Sequence, residues 1–275
     1  MRKTPDMIIA HKGAAFSPLV CLTAYTAPMA AAMEKHCDLL LVGDSLAMVI
    51  YGHETTRQAT MDMMATHGEA VTRATKTACV IVDMPFGSYE QSDDQALENA
   101  RRLMERSGAQ GVKLEGGSAM ASRIRAITKN GIPVLAHIGL LPQSVQTPDG
   151  YKVQGRDEEG AHQILDDAQA VAQAGSFAVV LEAIPPDLAA EITNSVPVPT
   201  IGIGAGIECD GQILVGEDML GLTPGRKPKF VKTYASLAEQ VGSAAATYAA
   251  EVRNRSFPSQ DQTYKPSAIL FKKAS

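Results

Sequence analysis

The stretch GVKLEGGS, residues 111–118, places two ionisable side chains in a segment with the apolar character of a buried strand. Lys113 and Glu115 are two residues apart, so on a strand they share one face, opposite Val112 and Leu114. A buried charge is unfavourable unless it is paired or binds a ligand. The pattern therefore indicates either a structural ion pair or part of a functional site.

Other apolar runs also end in side chains that could do chemistry. LLLVGD ends in Asp44 with Ser45 following, VIVD ends in Asp83, VLAH in His137 and VVLE in Glu182. Most have an ordinary structural explanation, namely a helix cap or turn for the aspartates and the serine, and a core histidine bonded to a backbone carbonyl. A buried glutamate is rarer unless it is paired. The function of the set depends on whether the fold brings these side chains together.

If they meet, these residue types suit the chemistry of a 2-oxo acid. The carboxylates of Asp44, Asp83 and Glu115 are the hard oxygen donors that Mg²⁺ prefers, and a 2-oxo acid chelates such an ion through its carboxylate and keto oxygens. Lys113 would neutralise the remaining charge, and Glu182 could remove the proton next to the keto group. A cation at the keto oxygen lowers the barrier to that step. These residue types indicate a reaction class, proton removal next to a keto group, but they do not identify a second substrate.

Eight short apolar runs, separated for the most part by helical segments, are the elements that would position these residues. Runs without polar alternation are typical of parallel strands covered on both faces. The repeated alternation predicts one α/β domain, a (βα)₈ TIM-type barrel, in which all strands end at one mouth. A doubly wound open sheet is the alternative, because periodicity does not establish closure. The last two runs are joined by GIECDG, which is too short for a crossover helix.

Three segments fall outside the alternation within the single predicted domain, residues 1–275. Residues 1–18, approximately, precede the first strand, and residues 253–275, approximately, form an irregular tail. The polar loop at residues 141–160 is longer than a routine strand-to-helix connection, which makes it a candidate lid.

The composition excludes several classes of partner. The chain has 275 residues and a formal net charge of −5, which argues against nucleic-acid and anionic-membrane surfaces. The start has no signal peptide, and no apolar run is long enough to span a membrane. The four cysteines include no CxxC pair and are typical of buried thiols in a reducing compartment. We therefore expect a cytoplasmic protein.

Several longer motifs resemble one enzyme family. LTAYTAP, VGDSLAMVIYGH, VDMPFGSY, VKLEGG, HIGLLPQS and FVKTYASL occur in order from about Leu22 to about Leu237. Together they resemble the ketopantoate hydroxymethyltransferase (3-methyl-2-oxobutanoate hydroxymethyltransferase) family. The resemblance implies a (βα)₈ barrel that uses Mg²⁺ and assembles as a homo-oligomer, often a decamer.

The resemblance also implies a reaction. The family transfers a one-carbon unit from 5,10-methylenetetrahydrofolate to 3-methyl-2-oxobutanoate through a metal-stabilised enolate. The products are 2-dehydropantoate, on the route to pantothenate and coenzyme A, and tetrahydrofolate. By motif, the resemblance implies that the metal is surrounded by Asp44, Asp83 and Glu115, the last two partly through water. It assigns substrate binding to Asp44, Ser45, Asp83, Lys113 and His137. Glu182 would be the proton acceptor.

Four positions depart from the usual family motifs, and none of them carries a proposed ligand or proton-transfer role: Thr26, Ala47, Ala136 and Leu141.

Two other functions stay open at the level of sequence. A carbon–carbon lyase would keep the metal and the enolate, but the KKCGH-like loop of such enzymes is absent here. A non-catalytic binding module would have little reason to retain the whole charged set.

Overall fold

The computed structural model describes residues 1–13, 17–145, 150–225 and 227–264. Eight parallel strands close into a barrel in sequence order. Strand β1 pairs with both β2 and β8, so the barrel is closed and the open-sheet alternative is wrong. The strands are β1 (Leu19–Thr23), β2 (Leu39–Val42), β3 (Cys79–Asp83), β4 (Gly111–Glu115), β5 (Val134–Gly139), β6 (Ala178–Glu182), β7 (Thr200–Ile203) and β8 (Gly211–Leu214).

Helices connect most of the strands, as the alternation predicts. Strands β7 and β8 are joined directly by residues 204–210, with no helix between them. Among the residues that the structure describes, no helix has both the length and the apolar character needed to cross a lipid bilayer. The helices are α1 (Pro5–Ile9), α2 (Ala27–Met33), α3 (Leu46–Val49), α4 (Met61–Ala74), α5 (Asp93–Ser107), α6 (Ala121–Lys129), α7 (Glu158–Gln173), α8 (Pro186–Ser195), α9 (Gly216–Met219) and α10 (Leu237–Asn254).

Two apolar layers explain why the strands have continuous apolar sequences. Inward-facing Leu39 and Leu41 of β2 belong to the cluster inside the barrel. Their neighbours Leu40 and Val42 face outward and pack with the helices. Both sets are buried, so neither face of the strand is free to carry the polar residues of an exposed sheet.

Local signals set the ends of the longer helices. The Ser92 side chain accepts a hydrogen bond from Gln95 N at the start of α5. Gly108 caps the other end of that helix, and its φ of 65° is left-handed and suits glycine. Helix α5 therefore ends at Ser107, directly before this glycine.

Strand register places the polar strand ends beside one another. Asp83 pairs with Lys113 across β3 and β4, and Glu115 pairs with His137 across β4 and β5. Gly139 then pairs with Glu182 across β5 and β6. Because all strands are parallel, these residues share the carboxyl-end mouth of the barrel.

The three segments outside the alternation are described only in part. Residues 14–16 of the first segment, residues 146–149 of the candidate lid and residues 265–275 of the tail lie outside the described residues. Within the loop, Gln154 N donates to Ala183 O at 2.9 Å, which ties the loop to the end of β6.

Candidate active site

The predicted site residues lie close together at the barrel mouth. Asp44, Asp83, Lys113, Glu115 and His137 are each at most 4% exposed, although all are ionisable. The sixth ionisable side chain, that of Glu182, is 14% exposed and contacts the imidazole of His137. The structure therefore brings together residues from five successive strands or the turns that follow them.

Lys113 is the cation of the cluster. Its Nζ lies 2.8 Å from Asp83 Oδ1 and 3.9 Å from Glu115 Oε1. Burial by itself lowers the pKa of Lys113, but the carboxylates of Asp83, Glu115 and Asp44 outweigh burial and raise it. Lys113 therefore stays charged, and both charges of GVKLEGGS face the barrel interior while Val112 and Leu114 pack outside.

His137 lies between two carboxylates. Its Nδ1 is 3.3 Å from Glu115 Oε1, and its Nε2 is 3.2 Å from Glu182 Oε2. Burial and the nearby Lys113 lower the pKa of His137, whereas the contacts with Glu115 and Glu182 raise it more, to about 9. The alternative of a core histidine bonded to a backbone carbonyl does not describe this ring. At neutral pH the imidazolium links the cluster to Glu182.

The aspartates are also in contact. Asp44 N donates to Asp83 Oδ2 at 3.0 Å. Burial, followed by the charges of Asp83 and Glu115, raises the pKa of Asp44. Burial also raises the pKa of Asp83 against the opposing effect of Lys113. Crowded carboxylates of this kind attract a cation.

Ser45 lies next to this cluster, because the backbone at Gly43 brings its side chain close to that of Asp83. Ser45 Oγ hydrogen-bonds the hydroxyl of buried Tyr25 at 2.7 Å, and the serine side chain does not cap helix α3. A Cβ on Gly43 would lie 2.8 Å from Ser45 Oγ and 3.6 Å from Asp83 Oδ2. A side chain at residue 43 would therefore displace Ser45 Oγ, whereas it would meet Asp83 at an ordinary van der Waals distance.

Sequence reasoning missed Gln143, which is 2% exposed and lies within the cluster. Its backbone N donates to Glu115 Oε2 at 2.9 Å, and its side-chain Nε2 donates to Asp44 Oδ2 at 2.9 Å. Tyr89 was missed too; its hydroxyl donates to Gln143 Oε1 at 2.5 Å. Neither residue carries a charge at neutral pH, so a search for ionisable strand ends does not find them.

Glu217 is a buried carboxyl that the sequence reasoning did not single out, although it closely follows the last apolar run. It is 6% exposed, and its Oε2 has no hydrogen-bond partner among the described residues. Burial, and secondarily Asp218, raises the pKa of Glu217 to about 7. Glu217 is therefore largely protonated below neutral pH in the folded protein.

The Glu217 shift predicts a pH-dependent stability. The folded state binds this proton more tightly than the unfolded state, whose pKa is near the ordinary 4.5. The stabilising contribution is therefore full below about pH 4.5 and is lost as the pH rises through about 7; it amounts to at most about 3 kcal/mol. We expect the wild-type Tm minus the Glu217→Gln Tm to fall between pH 5 and pH 8, measured by calorimetry. A constant difference would contradict this assignment.

The donor set fits an oxygen-ligated divalent cation such as Mg²⁺. Asp83 Oδ1 is buried and accepts no hydrogen bond of good geometry in the described part of the chain, although the Lys113 ammonium lies 2.8 Å from it. No group of three or more His, Cys, Asp or Glu residues in the described ranges forms a ready-made metal cluster. Mg²⁺ is usually held by one or two carboxylates and completed by water and substrate oxygens. Asp44, Asp83 and Glu115 could supply those carboxylates.

Comparisons with known proteins show which family the chain resembles. A sequence model of the family described as Ketopantoate hydroxymethyltransferase matches residues 3–260. The chain is 53% identical over 264 residues to the 3-methyl-2-oxobutanoate hydroxymethyltransferase of Rhizobium etli, and the match covers 96% of each protein. It is 56% identical over 265 residues to the protein of that name from Ruegeria sp. (strain TM1040), covering 96% of this chain and 94% of the relative.

A solved structure is similar at the level of the fold. The crystal structure of 2,3-dimethylmalate lyase, a PEP mutase/isocitrate lyase superfamily member, has a TM-score of 0.59 and 14% sequence identity. The similarity covers 96% of this chain and 91% of that one. An identity this low supports the barrel architecture alone, whereas the sequence matches extend over nearly the whole chain. This chain therefore belongs to the ketopantoate hydroxymethyltransferase family.

Proposed function

We propose that this protein transfers a hydroxymethyl group from 5,10-methylenetetrahydrofolate to 3-methyl-2-oxobutanoate in pantothenate synthesis. The products are 2-dehydropantoate and tetrahydrofolate. The observation that carries the proposal is the contact chain at the barrel mouth, from Asp83 through Lys113, Glu115 and His137 to Glu182. The names of the relatives support the choice of substrates.

The acidic end of the chain would hold the oxo acid. Asp44 and Asp83, with Glu115 acting through water, are the residues that would hold Mg²⁺. When bound, Mg²⁺ would polarise the keto group of the substrate and so acidify the neighbouring C–H bond. Lys113 offers a buried positive charge for the substrate carboxylate, and Ser45 offers a hydroxyl. These two residues orient the substrate.

Glu182 is the proposed general base at the other end of the chain. It accepts the proton from C3 of the oxo acid, and the electron pair of that C–H bond becomes the enolate. The enolate carbon then bonds to the one-carbon unit carried by the folate. Water replaces the folate nitrogen on that carbon and supplies the hydroxyl oxygen, so the carbon–nitrogen bonds break and tetrahydrofolate leaves with the protons. His137, 3.2 Å from Glu182 Oε2, positions this carboxylate and lines the pocket.

A single assay tests the proposed function. Purified protein is incubated with 3-methyl-2-oxobutanoate, 5,10-methylenetetrahydrofolate and Mg²⁺, and 2-dehydropantoate is measured by mass spectrometry. We expect product in the complete mixture and none when protein or folate is omitted. Cleavage of the oxo acid would favour a lyase, and binding without any product would favour a non-catalytic module.

Gly43→Ala is expected to weaken binding of the oxo acid by about five- to tenfold. The new Cβ would displace Ser45 Oγ from Tyr25, and one lost hydrogen bond is worth about 1 kcal/mol. Calorimetric titration of 3-methyl-2-oxobutanoate with Mg²⁺ present measures the change. Gly242→Ala, whose Cβ would meet no atom within 4 Å, is the matched control. Equal affinities in both variants would remove Ser45 from the proposed site.

We further propose a homo-oligomer, a decamer by family resemblance. Helix α10 has no buried residue, and Val241, Tyr248 and Val252 along one of its faces are 61%, 56% and 44% exposed. On the barrel surface, outward-facing Val20 of β1 is 48% exposed. Helix α10 thus leaves the barrel face around Val20 uncovered. These exposed apolar residues support packing of the helix and of this face against a second copy of the chain.

Light scattering after size exclusion tests the assembly. We expect the wild-type protein to elute as a multiple of the chain mass. The double substitution Val241→Asp and Tyr248→Asp is expected to yield smaller species, because it buries charge at the proposed interface. Ser243→Asp, on the opposite side of the helix, is the control. A wild-type monomer would refute the oligomer.

A further inference from the structure

Gln143 uses nearly every polar group that it has within the candidate site. Its backbone N donates to Glu115 Oε2 at 2.9 Å. Its side-chain Nε2 donates to Asp44 Oδ2 at 2.9 Å and to Met84 O at 3.0 Å. Its Oε1 accepts from the Tyr89 hydroxyl at 2.5 Å. One buried residue therefore connects the ends of three neighbouring strands, through its carboxamide to Asp44 and Met84 and through its backbone N to Glu115.

These bonds divide the carboxylate oxygens into two sets. Asp44 Oδ2 and Glu115 Oε2 are bound by Gln143, and Asp83 Oδ2 is bound by the backbone N of Asp44. The second oxygens of Asp83 and Glu115 face Lys113, and that of Glu115 also lies 3.3 Å from His137 Nδ1. Each carboxylate thus has one oxygen that accepts a hydrogen bond of good geometry. Gln143 donates two of these three bonds, from its side chain to Asp44 and from its backbone N to Glu115.

We propose that Gln143 is a positioning residue that selects which oxygen of Asp44 and of Glu115 is presented to the cation and the substrate. This inference rests on the proposed function for the identity of those ligands. A carboxylate held at one oxygen loses its freedom to rotate, so its other oxygen is preorganised for a ligand. Partners of this kind typically contribute 10- to 100-fold to metal affinity, as an order-of-magnitude estimate.

The surrounding contacts provide a matched control. Gln143 lies in a short turn, Pro142–Ser144, whose position is also held from outside the site. Arg57 Nη1 donates to Gln143 O at 3.1 Å, and its guanidinium lies 3.7 Å from the Phe86 ring centroid. Arg57→Ala would therefore loosen the same turn without removing the carboxamide.

Two substitutions of Gln143 separate its chemistry from its packing. Gln143→Met keeps the length of the side chain but removes the amide that donates to Asp44, while the backbone N still donates to Glu115. Gln143→Asn keeps the amide but is one methylene shorter, so the amide no longer reaches Asp44. If one variant fails to fold, the other still decides the question. Circular dichroism and Tm report folding for both variants and for Arg57→Ala.

The deciding measurement is calorimetric titration of each protein with Mg²⁺ alone. We expect the Kd for Mg²⁺ to rise by about 10- to 100-fold in the folded Gln143 variants and to change less than about threefold in Arg57→Ala, even where Arg57→Ala lowers the Tm. A folded Gln143 variant with wild-type Mg²⁺ affinity, or a similar loss in Arg57→Ala, would overturn the inference. Product formation by the wild-type protein is scored separately, so failure of the proposed function is distinguishable from failure of this role.

Discussion

Glu182→Gln is expected to lower kcat for 2-dehydropantoate formation by about 10²- to 10⁴-fold, the usual contribution of a general base. Gln has the same shape as Glu but does not accept a proton from carbon. Its amide oxygen can occupy the position of Glu182 Oε2, which lies 3.2 Å from His137 Nε2. The pocket should therefore keep its form, and the Kd for 3-methyl-2-oxobutanoate should change by less than about threefold.

Steady-state kinetics and calorimetric titration of the oxo acid together measure this separation. Glu191→Gln, which changes a carboxylate on helix α8 outside the site, is the control and should leave both quantities unchanged. A Glu182→Gln enzyme with near wild-type kcat would show that another group removes the proton. A parallel loss of binding and turnover would make Glu182 a binding residue.

Asp83→Ala is expected to abolish the Mg²⁺-dependent part of oxo acid binding, a loss of at least about 100-fold. Asp83 is 2% exposed, pairs with Lys113 at 2.8 Å and accepts from Asp44 N at 3.0 Å. Its removal leaves the Lys113 charge without its nearest partner. Breaking a buried pair by removing one member typically costs about 3–5 kcal/mol, so stability should fall as well.

Asp83→Asn separates these two effects. It retains an oxygen for Asp44 N but lacks the negative charge, so it should keep more stability than Asp83→Ala while still losing Mg²⁺-dependent binding. Binding is measured by titration of 3-methyl-2-oxobutanoate with Mg²⁺ and with EDTA. Asp62→Ala, which removes an exposed partner of Arg102 and Arg106, should leave binding intact. Retained Mg²⁺ dependence in Asp83→Asn would exclude Asp83 as a metal ligand.

Much of the fold follows from the sequence, because strands buried on both faces leave a distinct pattern. The runs around Leu40 and Val80 have no polar alternation, and each is a strand between the barrel interior and the helices. Closure was a prediction from repetition alone, and the pairing of β1 with β8 confirms it. The link from β7 to β8 was also predictable, since residues 204–210 are too few for a helix.

The site was predictable only where charge marks it. Lys113 and Glu115 are conspicuous because charges are rare within a buried strand. Gln143 is a neutral residue in a short turn, and its partners Glu115 and Asp44 are 28 and 99 residues away in sequence. No local pattern records contacts over such distances, so only the folded barrel reveals them. Tyr25 was hidden for the same reason.

The most direct test of the central claim is hydrogen–deuterium exchange at C3 of 3-methyl-2-oxobutanoate in D₂O, followed by NMR without any folate. The carboxylate cluster and Glu182 together predict that the wild-type protein with Mg²⁺ catalyses exchange, and that treatment with EDTA stops it. Exchange that is equally fast without a divalent cation, or its absence in the presence of Mg²⁺ and bound oxo acid, would contradict the account.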